Sequence, residues 1–348
     1  MKLNQFKLIN FANRDNNLFR LIIMLIAVFA LMSTLRPSIF PKLDNFTSMA
    51  YQFPEYGVLA IAMMLSLLIG GVDLSIVGIA NLSAILAAKL LIKFVPYDAD
   101  PGYTLLMIGV AIIVALAIGA LCGAFNGFII SKFGIPDILA TLGSMQLFTG
   151  IAIVITKGRI VVGIPYMYSE LGNAAIGGII PVPLIIYTIC AVLIGLLLNK
   201  TSFGIKLYMM GTNPTASRFS GINNAIMTIR SYMYGGILSA VAGLIMLART
   251  NSAKADFGSS YILQTVLIGV LGGVNPSGGF GTVGGVTVAI LILQFLSSGF
   301  NMFPSISNLI KDLIWGSALI LVMVFNYYSN KRSEKAQISK RIAETTNS

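Results

Sequence analysis

Ten stretches of this chain are apolar and almost free of charge, and most are as long as a bilayer crossing. They run over residues 18–35, 47–69, 74–92, 103–130, 138–156, 182–198, 229–248, 260–271, 283–298 and 307–327. About 20 apolar residues cross a membrane as a helix. Within the hydrocarbon every backbone N–H and C=O needs an internal partner, so spanning segments are helices or closed barrels. The expected fold is all-α, a polytopic membrane protein with about ten transmembrane helices. The segment 260–271 is too short to cross alone and must be broken, tilted or covered by protein. Only 10% of the 348 residues are charged and 56% are hydrophobic, against about 25% and 45–50% in soluble domains. A cytosolic globular enzyme and a disordered chain are both excluded.

Charge sets the orientation. The net charge of +11 reads as the positive-inside bias of a membrane protein rather than as a nucleic-acid surface. With both termini cytoplasmic, fourteen lysines and arginines fall inside and nine outside, and the basic C-terminal tail alone favours this orientation. The chain then divides into a cytoplasmic N-terminal segment (1–17), a transmembrane domain (18–327) and a basic cytoplasmic tail (328–348). The first apolar run is as long as a full span, so it reads as a span and not as a cleaved leader.

Missing residues exclude chemistry. There is no histidine, so no Ser-His-Asp triad, His-paired cysteine nucleophile or His-containing zinc site exists. Cys122 and Cys190 both lie in apolar runs and support no disulfide framework. No G-x-x-x-x-G-K-[ST] loop occurs, so ATP, if it drives this protein, binds another subunit. No metal or cofactor site is expected. The segment Gly279-Phe280-Gly281-Thr282-Val283-Gly284 fits G-x-G-x-x-G. It lacks the preceding strand and the acid about 20 residues on that a dinucleotide site needs, and reads as a glycine turn between spans.

Glycine makes up 35 of the 348 residues. Gly109, Gly119, Gly123, Gly127, Gly235, Gly236 and Gly243 lie within spans, where small residues let helices approach closely. A weak internal repeat also appears: Gly70-Gly71-Val72-Asp73-Leu74-Ser75 resembles Gly272-Gly273-Val274-Asn275-Pro276-Ser277. Similar Gly-rich breaks at like positions of two halves point to a transport pathway or gate. Gly70, Gly71, Asp73, Ser75, Gly272, Gly273, Gly278, Gly279 and Gly281 are therefore the candidate gate residues. Asp73 is also placed to cap a helix starting near Leu74, with help from Ser75.

Residues 199–230 form the longest cytoplasmic connection. Within it, 212–221 reads as one short helix. Thr212 or Asn213 caps its start, Pro214 suits the first turn and Gly221 suits the position just past the end. Two turns are marginal alone, so this helix either docks on a partner through Arg218 and Phe219 or lies flat on the membrane. Of the polar residues inside spans, Glu55, Asn81, Asn126, Gln146 and Gln264 are the candidate pathway residues. Glu55 stands near the outer end of its span beside Pro54, where water can reach it. The amides bond hydroxyls of a polar solute or bond between helices.

Over about residues 45–327 the chain resembles the permease subunit of bacterial binding-protein-dependent ABC sugar importers, of the ribose/galactoside/autoinducer-2 type. The resemblance rests on the order and spacing of several pieces. These are Gly71-Val72-Asp73-Leu74-Ser75, Asn126-Gly127, Ala140-Thr141-Leu142-Gly143, Gly158-Arg159 and Thr201-Ser202-Phe203-Gly204. Further on come Gly211-Thr212-Asn213, Ala216-Ser217-Arg218-Phe219-Ser220-Gly221-Ile222, Leu271-Gly272-Gly273 and Gly278-Gly279-Phe280-Gly281-Thr282. The chain departs from the family pattern at Val77, where relatives often carry glycine, and at Ile262 and Gln264, where they often carry acids.

The resemblance implies a multi-pass protein of the bacterial inner membrane that is not itself an enzyme. It implies a coupling helix at Asn213, Pro214, Ala216, Arg218, Phe219, Ser220 and Gly221 that docks on a separate ATPase subunit. It also implies a second permease, an extracytoplasmic sugar-binding protein and a monosaccharide or small polyol as cargo, moved by alternating access. The runner-up is an ion-coupled secondary transporter. That reading needs paired intramembrane acids, for which only Glu55 and Asp73 are candidates.

The orientation is testable. A thiol introduced at Thr212 or Ser333 should resist an impermeant reagent added outside intact cells and react after permeabilisation. Labelling of either site from outside would invert the topology.

Overall fold

A computed structural model describes residues 3–178, 180–303 and 313–324. In chain order the helices are α1 (Leu3–Leu35), α2 (Leu43–Leu67), α3 (Ile76–Phe94), α4 (Pro101–Phe133) and α5 (Asp137–Thr156). A connection follows that holds β1 (Val161–Val162), α6 (Tyr166–Asn173), β2 (Ala175–Ile176) and β3 (Ile180–Pro181). Then come α7 (Val182–Lys200), α8 (Ser202–Thr212), α9 (Pro214–Phe219), α10 (Asn224–Thr250), β4 (Ser252–Ala253), α11 (Tyr261–Leu271) and α12 (Val283–Asn301). A last apolar helix covers Leu313–Val324. The strands form two short antiparallel pairs: β1 with β4 in the register Val161↔Ala253, and β2 with β3 in the register Ile176↔Ile180.

Among the described residues, seven helices are long and apolar enough to cross a membrane: Asn17–Leu35 of α1, then α3, α4, α5, α7, α10 and α12. The expected count of about ten is not confirmed among these residues. Two of the missing three are present in another form. The expected second span is α2, whose first half is too polar to count as a lipid-facing crossing. The expected eighth span is α11, with 11 residues, about 16 Å of helix against a hydrocarbon core of about 30 Å. The expected tenth span, 307–327, and the basic tail, 328–348, fall largely outside the described residues.

Helix α2 is the centre of the molecule. Every residue from Phe53 to Leu67 is buried, which a helix hydrophobic all round requires. Its neighbours are α7, α10, α11 and α12. Helix α4 has the opposite character. Its buried residues Thr104, Ile108, Ala111, Ala115, Gly119, Gly123 and Asn126 recur every three or four positions, a single stripe. The remaining faces, with Ile113 and Leu121, are exposed, as a lipid-facing helix allows. Its ends are well defined. The Asp100 carboxylate accepts from the Gly102 N–H at 2.8 Å, and Gly134 closes the other end at φ +67°, the left-handed position glycine favours.

The stripe of α4 packs on α10 through glycine. A Cβ on Gly119 would strike the Gly236 carbonyl, and one on Gly123 would strike the Tyr232 carbonyl. Lipid tails are as apolar as the side chains, so association in the membrane relies on such close backbone approach. Away from α10, a ring cluster of Phe29, Phe40, Phe46 and Phe295 joins α1 to α12 with centroids about 6 Å apart.

Gly123→Val should therefore separate α4 from α10, costing about 1–3 kcal/mol by overpacking. Gly109→Ala, on the same helix, meets nothing within 4 Å and should be neutral or stabilising by up to about 1 kcal/mol. Thermal unfolding of the two detergent-solubilised variants checks the contrast.

Candidate functional site

Three segments meet at one end of the bundle: the α2–α3 break, the end of α8 and the α11–α12 connection. The Gly279 N–H donates to the Leu68 carbonyl at 2.9 Å. A Cβ on Gly211 would strike that same carbonyl, and one on Gly278 would come within 2.7 Å of the Gly211 carbonyl. A Cβ on Gly70 would lie 3.2 Å from the Ser277 carbonyl. Side chains at these positions would push the three backbones apart.

The two repeated glycine segments end their helices in the same way. After α2, Gly70 has φ +83°, with Gly71 N–H donating to the Ser66 carbonyl and Gly70 N–H to Leu67. After α11, Gly273 has φ +83°, with Val274 N–H donating to Gly269 and Gly273 N–H to Val270. Both are Schellman ends. The structural match is thus Gly70 with Gly273, one residue out of step with the sequence match. Each repeat then makes an Asx turn. The Ser75 N–H donates to Asp73 Oδ1 at 3.0 Å and the Ser277 N–H to Asn275 Oδ1 at 3.1 Å. Gly278, Gly279 and Gly281 also have positive φ, while Gly71 and Gly272 do not.

Around the first break lies a buried polar network. Asp73 Oδ1 also accepts from Ser75 Oγ at 2.6 Å, and that hydroxyl accepts from Asn126 Nδ2 of α4 at 2.7 Å. Ser66 Oγ of α2 accepts from the Asp73 N–H, and Thr141 Oγ1 of α5 donates to the Val72 carbonyl at 3.0 Å. Gly71 leaves room for the Asp137 carboxylate of α5 and the Tyr232 hydroxyl of α10. Burial pushes the Asp73 carboxyl up to about 6, with the Ser75 hydrogen bonds pulling it the other way. Helix α3 starts at Ile76, not near Leu74, and its cap residue Ser75 makes no side-chain cap bond. Asp73 therefore shapes the turn before the helix instead of capping it.

Helix α9 projects from this same end. Asn213 is its cap, accepting from the Ala216 N–H at 2.9 Å, and Pro214 opens it. Gly221 at φ +79° closes it, with Gly221 N–H donating to Arg218 and Ile222 N–H to Ser217. Its anchor is α10: Ser217 Oγ bonds Asn224 Oδ1 at 2.9 Å, and Asn224 Nδ2 donates to the Pro214 carbonyl at 2.8 Å. Ser217 is buried, while Ala216, Arg218, Ser220 and Phe219 are exposed, Phe219 by 89%.

The other candidate residues disperse. Asn81 Nδ2 donates to the Ala255 and Phe257 carbonyls, both at 2.9 Å, and fastens the loop before α11. Asn126 bonds between helices. Gln146 is exposed on α5 and Gln264 is half-buried on α11. Glu55 is not wet: its side chain is 1% exposed and paired with Arg249. Pro54 sits inside the helix, and the polypeptide around α2 excludes water there. Arg249, Tyr261 and Tyr232 were not legible as partners, because each pairing joins residues far apart in sequence.

Residues 45–324 match the family model described as branched-chain amino acid transport system, permease component. The chain is 33% identical over 298 residues to a ribose import permease protein of Bacillus subtilis, covering 85% of this chain and 88% of that protein. It is 33% identical over 319 residues to the ribose import permease protein of Haemophilus influenzae, covering 90% and 94%. With an autoinducer 2 import system permease protein of Yersinia enterocolitica, identity is 30% over 274 residues, covering 77% and 79%. A solved metal-chelate type ABC transporter in an inward-facing conformation shares the fold, with a TM-score of 0.50 at 13% identity, covering 89% of this chain and 99% of that one.

Gly279→Val requires φ +82° of a branched residue and meets the Thr212 backbone at 2.9 Å. It should loosen the three-segment junction without unfolding the bundle. Limited proteolysis should cut within residues 275–282 faster than in wild type, and an unchanged rate would show that the junction tolerates a side chain.

Proposed function

The chain belongs to the family of branched-chain amino acid transport system permease components, and from that premise we propose how it works as the membrane subunit of an ABC importer. It is a multi-pass inner-membrane permease. A separate ATPase docks on α9, an extracytoplasmic binding protein delivers a monosaccharide or similar small polyol, and a second permease completes the pathway. The ribose and autoinducer 2 relatives support that class of cargo.

The observation that carries this reading is α9. It is capped at both ends by its own sequence, tied to α10 by Asn224, and presents Phe219 and Arg218 outward. A six-residue helix has no intrinsic stability in water, so the caps hold a shape whose outer face, with Phe219 and Arg218, is exposed among the described residues. Aromatic and arginine residues are the side chains that most often anchor interfaces.

The junction of Gly70, Gly71, Gly273, Gly278 and Gly279 acts as the inner gate in this scheme. ATP-driven closure of the ATPases moves α9, and α8 and α10 carry the motion to the junction. Cargo contacts in the pathway stay weak so that the sugar can leave, and selectivity rests with the binding protein. Gln146 on the exposed face of α5 and Gln264 on α11 are the amides placed to meet a hydroxylated cargo.

Phe219→Ala or Arg218→Glu should weaken ATPase association by about 1–3 kcal/mol while the permease still inserts. Stimulated ATP hydrolysis and uptake should fall together. Co-purification of the ATPase decides it: full recovery with normal stimulation would return α9 to a membrane-surface segment. Gly273→Val should lower uptake more than membrane abundance, and uptake normalised to protein level reads the difference.

A further inference from the structure

Glu55 lies in the membrane-spanning body with both carboxylate oxygens engaged. Arg249 Nη2 donates to Oε1 at 2.6 Å and Arg249 Nε to Oε2 at 3.1 Å, a two-point grip. The Tyr261 hydroxyl donates to the same Oε1 at 2.5 Å. Among the described residues the other ion pair, Lys254 with Asp256, is exposed on both sides. Removing one partner of a buried pair leaves an uncompensated charge, and a pair of this kind is weak evidence for a purely stabilising role.

Each of the three residues belongs to a different helix. Glu55 is in the buried core of α2, Arg249 in the last turn of α10, and Tyr261 is the first residue of α11. Helix α11 is the broken span. Its start has no side-chain cap bond, and it packs on α2 and α12. The Tyr261 hydroxyl is therefore what fixes the start of α11 to the ion pair. The cluster continues into α12, where Tyr56 donates to Gln294 Oε1 at 2.5 Å. Gln294 Nε2 is buried and without a partner among the described residues. A native site that leaves a buried donor unmet is not tuned for stability alone.

Helix α10 links this cluster to the opposite end of the molecule. It runs for 27 residues without proline, about 40 Å. Its first residue, Asn224, holds α9, and near its other end Arg249 holds Glu55. Along the way Gly236 packs closely on α4 and Gly243 on α3.

We propose that Arg249 is a positioning residue for transport: with Glu55 and Tyr261 it forms an outer latch through which α10 holds the start of the broken span α11. Displacement of α9 at the far end of the same helix shifts Arg249, loosens Tyr261 and frees α11. The cargo pathway beside α11 then opens only when the ATPase side has moved. This rests on the reading of α9 as the ATPase docking helix.

The test uses the full chain reconstituted in liposomes with its ATPase and binding protein. Val266→Cys, at a half-buried position of α11, reports the opening, in a chain whose native Cys122 and Cys190 are replaced by alanine. Glu55→Gln and Tyr261→Phe should retain the ATPase on co-purification. Both should transport about tenfold less cargo per ATP hydrolysed, and Val266→Cys should react faster with an external impermeant maleimide before any nucleotide is added. The exchange of charges, Glu55→Arg with Arg249→Glu, should recover part of the coupling lost in Arg249→Glu alone. If the charge variants fail to accumulate, Tyr261→Phe decides, since it deletes one hydroxyl. Wild-type coupling and wild-type labelling in Tyr261→Phe would overturn the latch. Failure of the wild-type chain to retain the ATPase would overturn the reading of α9 instead.

Discussion

A backbone that leaves its helix inside a membrane must find partners for every N–H and C=O from protein, because lipid offers none. The rest of this structure follows from that requirement. The chain breaks helix at 68–75, 251–260 and 272–282, and protein groups meet backbone polar groups at each break, although Lys254, Asp256 and Phe280 on the last two stay exposed. Ser66, Thr141 and Gly279 take up the backbone groups of the first. Asn81 holds two carbonyls of the second. The third folds on itself, with the Asn275 N–H donating to Phe280 at 2.9 Å. Irregular backbone is tolerated within a bundle only where it is covered or lines a cavity.

Enclosing those breaks demands a particular centre. Helix α2 is surrounded by protein along most of its length, and α10 packs on it with α3 and α4 at its other sides. Glycine makes this possible, since Gly119, Gly123, Gly236 and Gly243 bring backbones together where any larger residue would hold them apart. The outer helices α4, α5 and α7 then leave wide faces exposed. Polar side chains turn inward from α2, α3 and α10, and also from α4, α5 and α12 at Asn126, Thr141 and Gln294.

This division suits transport. A gate must change shape without exposing unmet polar groups to hydrocarbon, and small residues at backbone contacts permit sliding without new voids. In the proposed scheme the glycine junction and the Glu55–Arg249 pair are linked through α10, and each ties together helices whose relative positions alternating access has to change. The first is held by backbone contacts with serine, threonine, asparagine and aspartate side chains, and the second by Glu55, Arg249 and Tyr261. Such contacts can re-form after each cycle.

Much of this was legible in the sequence, because it depends on neighbours along the chain. Apolar run length gave the membrane class, and Asn213, Pro214 and Gly221 marked both ends of α9 from their own chemistry. The glycine repeat was visible too, although its structural register differs by one residue, since the left-handed position falls on the first glycine in one copy and the second in the other. Tertiary structure alone decided the rest. Glu55 looked wet because nothing nearby in sequence could hold it, and its partner Arg249 stands 194 residues away. The second and eighth apolar runs form α2 and the 11-residue α11, and hydropathy along the chain does not report that protein walls in α2 on all sides. Periodicity and capping report local energetics. Which helix faces lipid, which is walled in by protein and which buried charges meet are set by long-range packing, and no single segment carries that information.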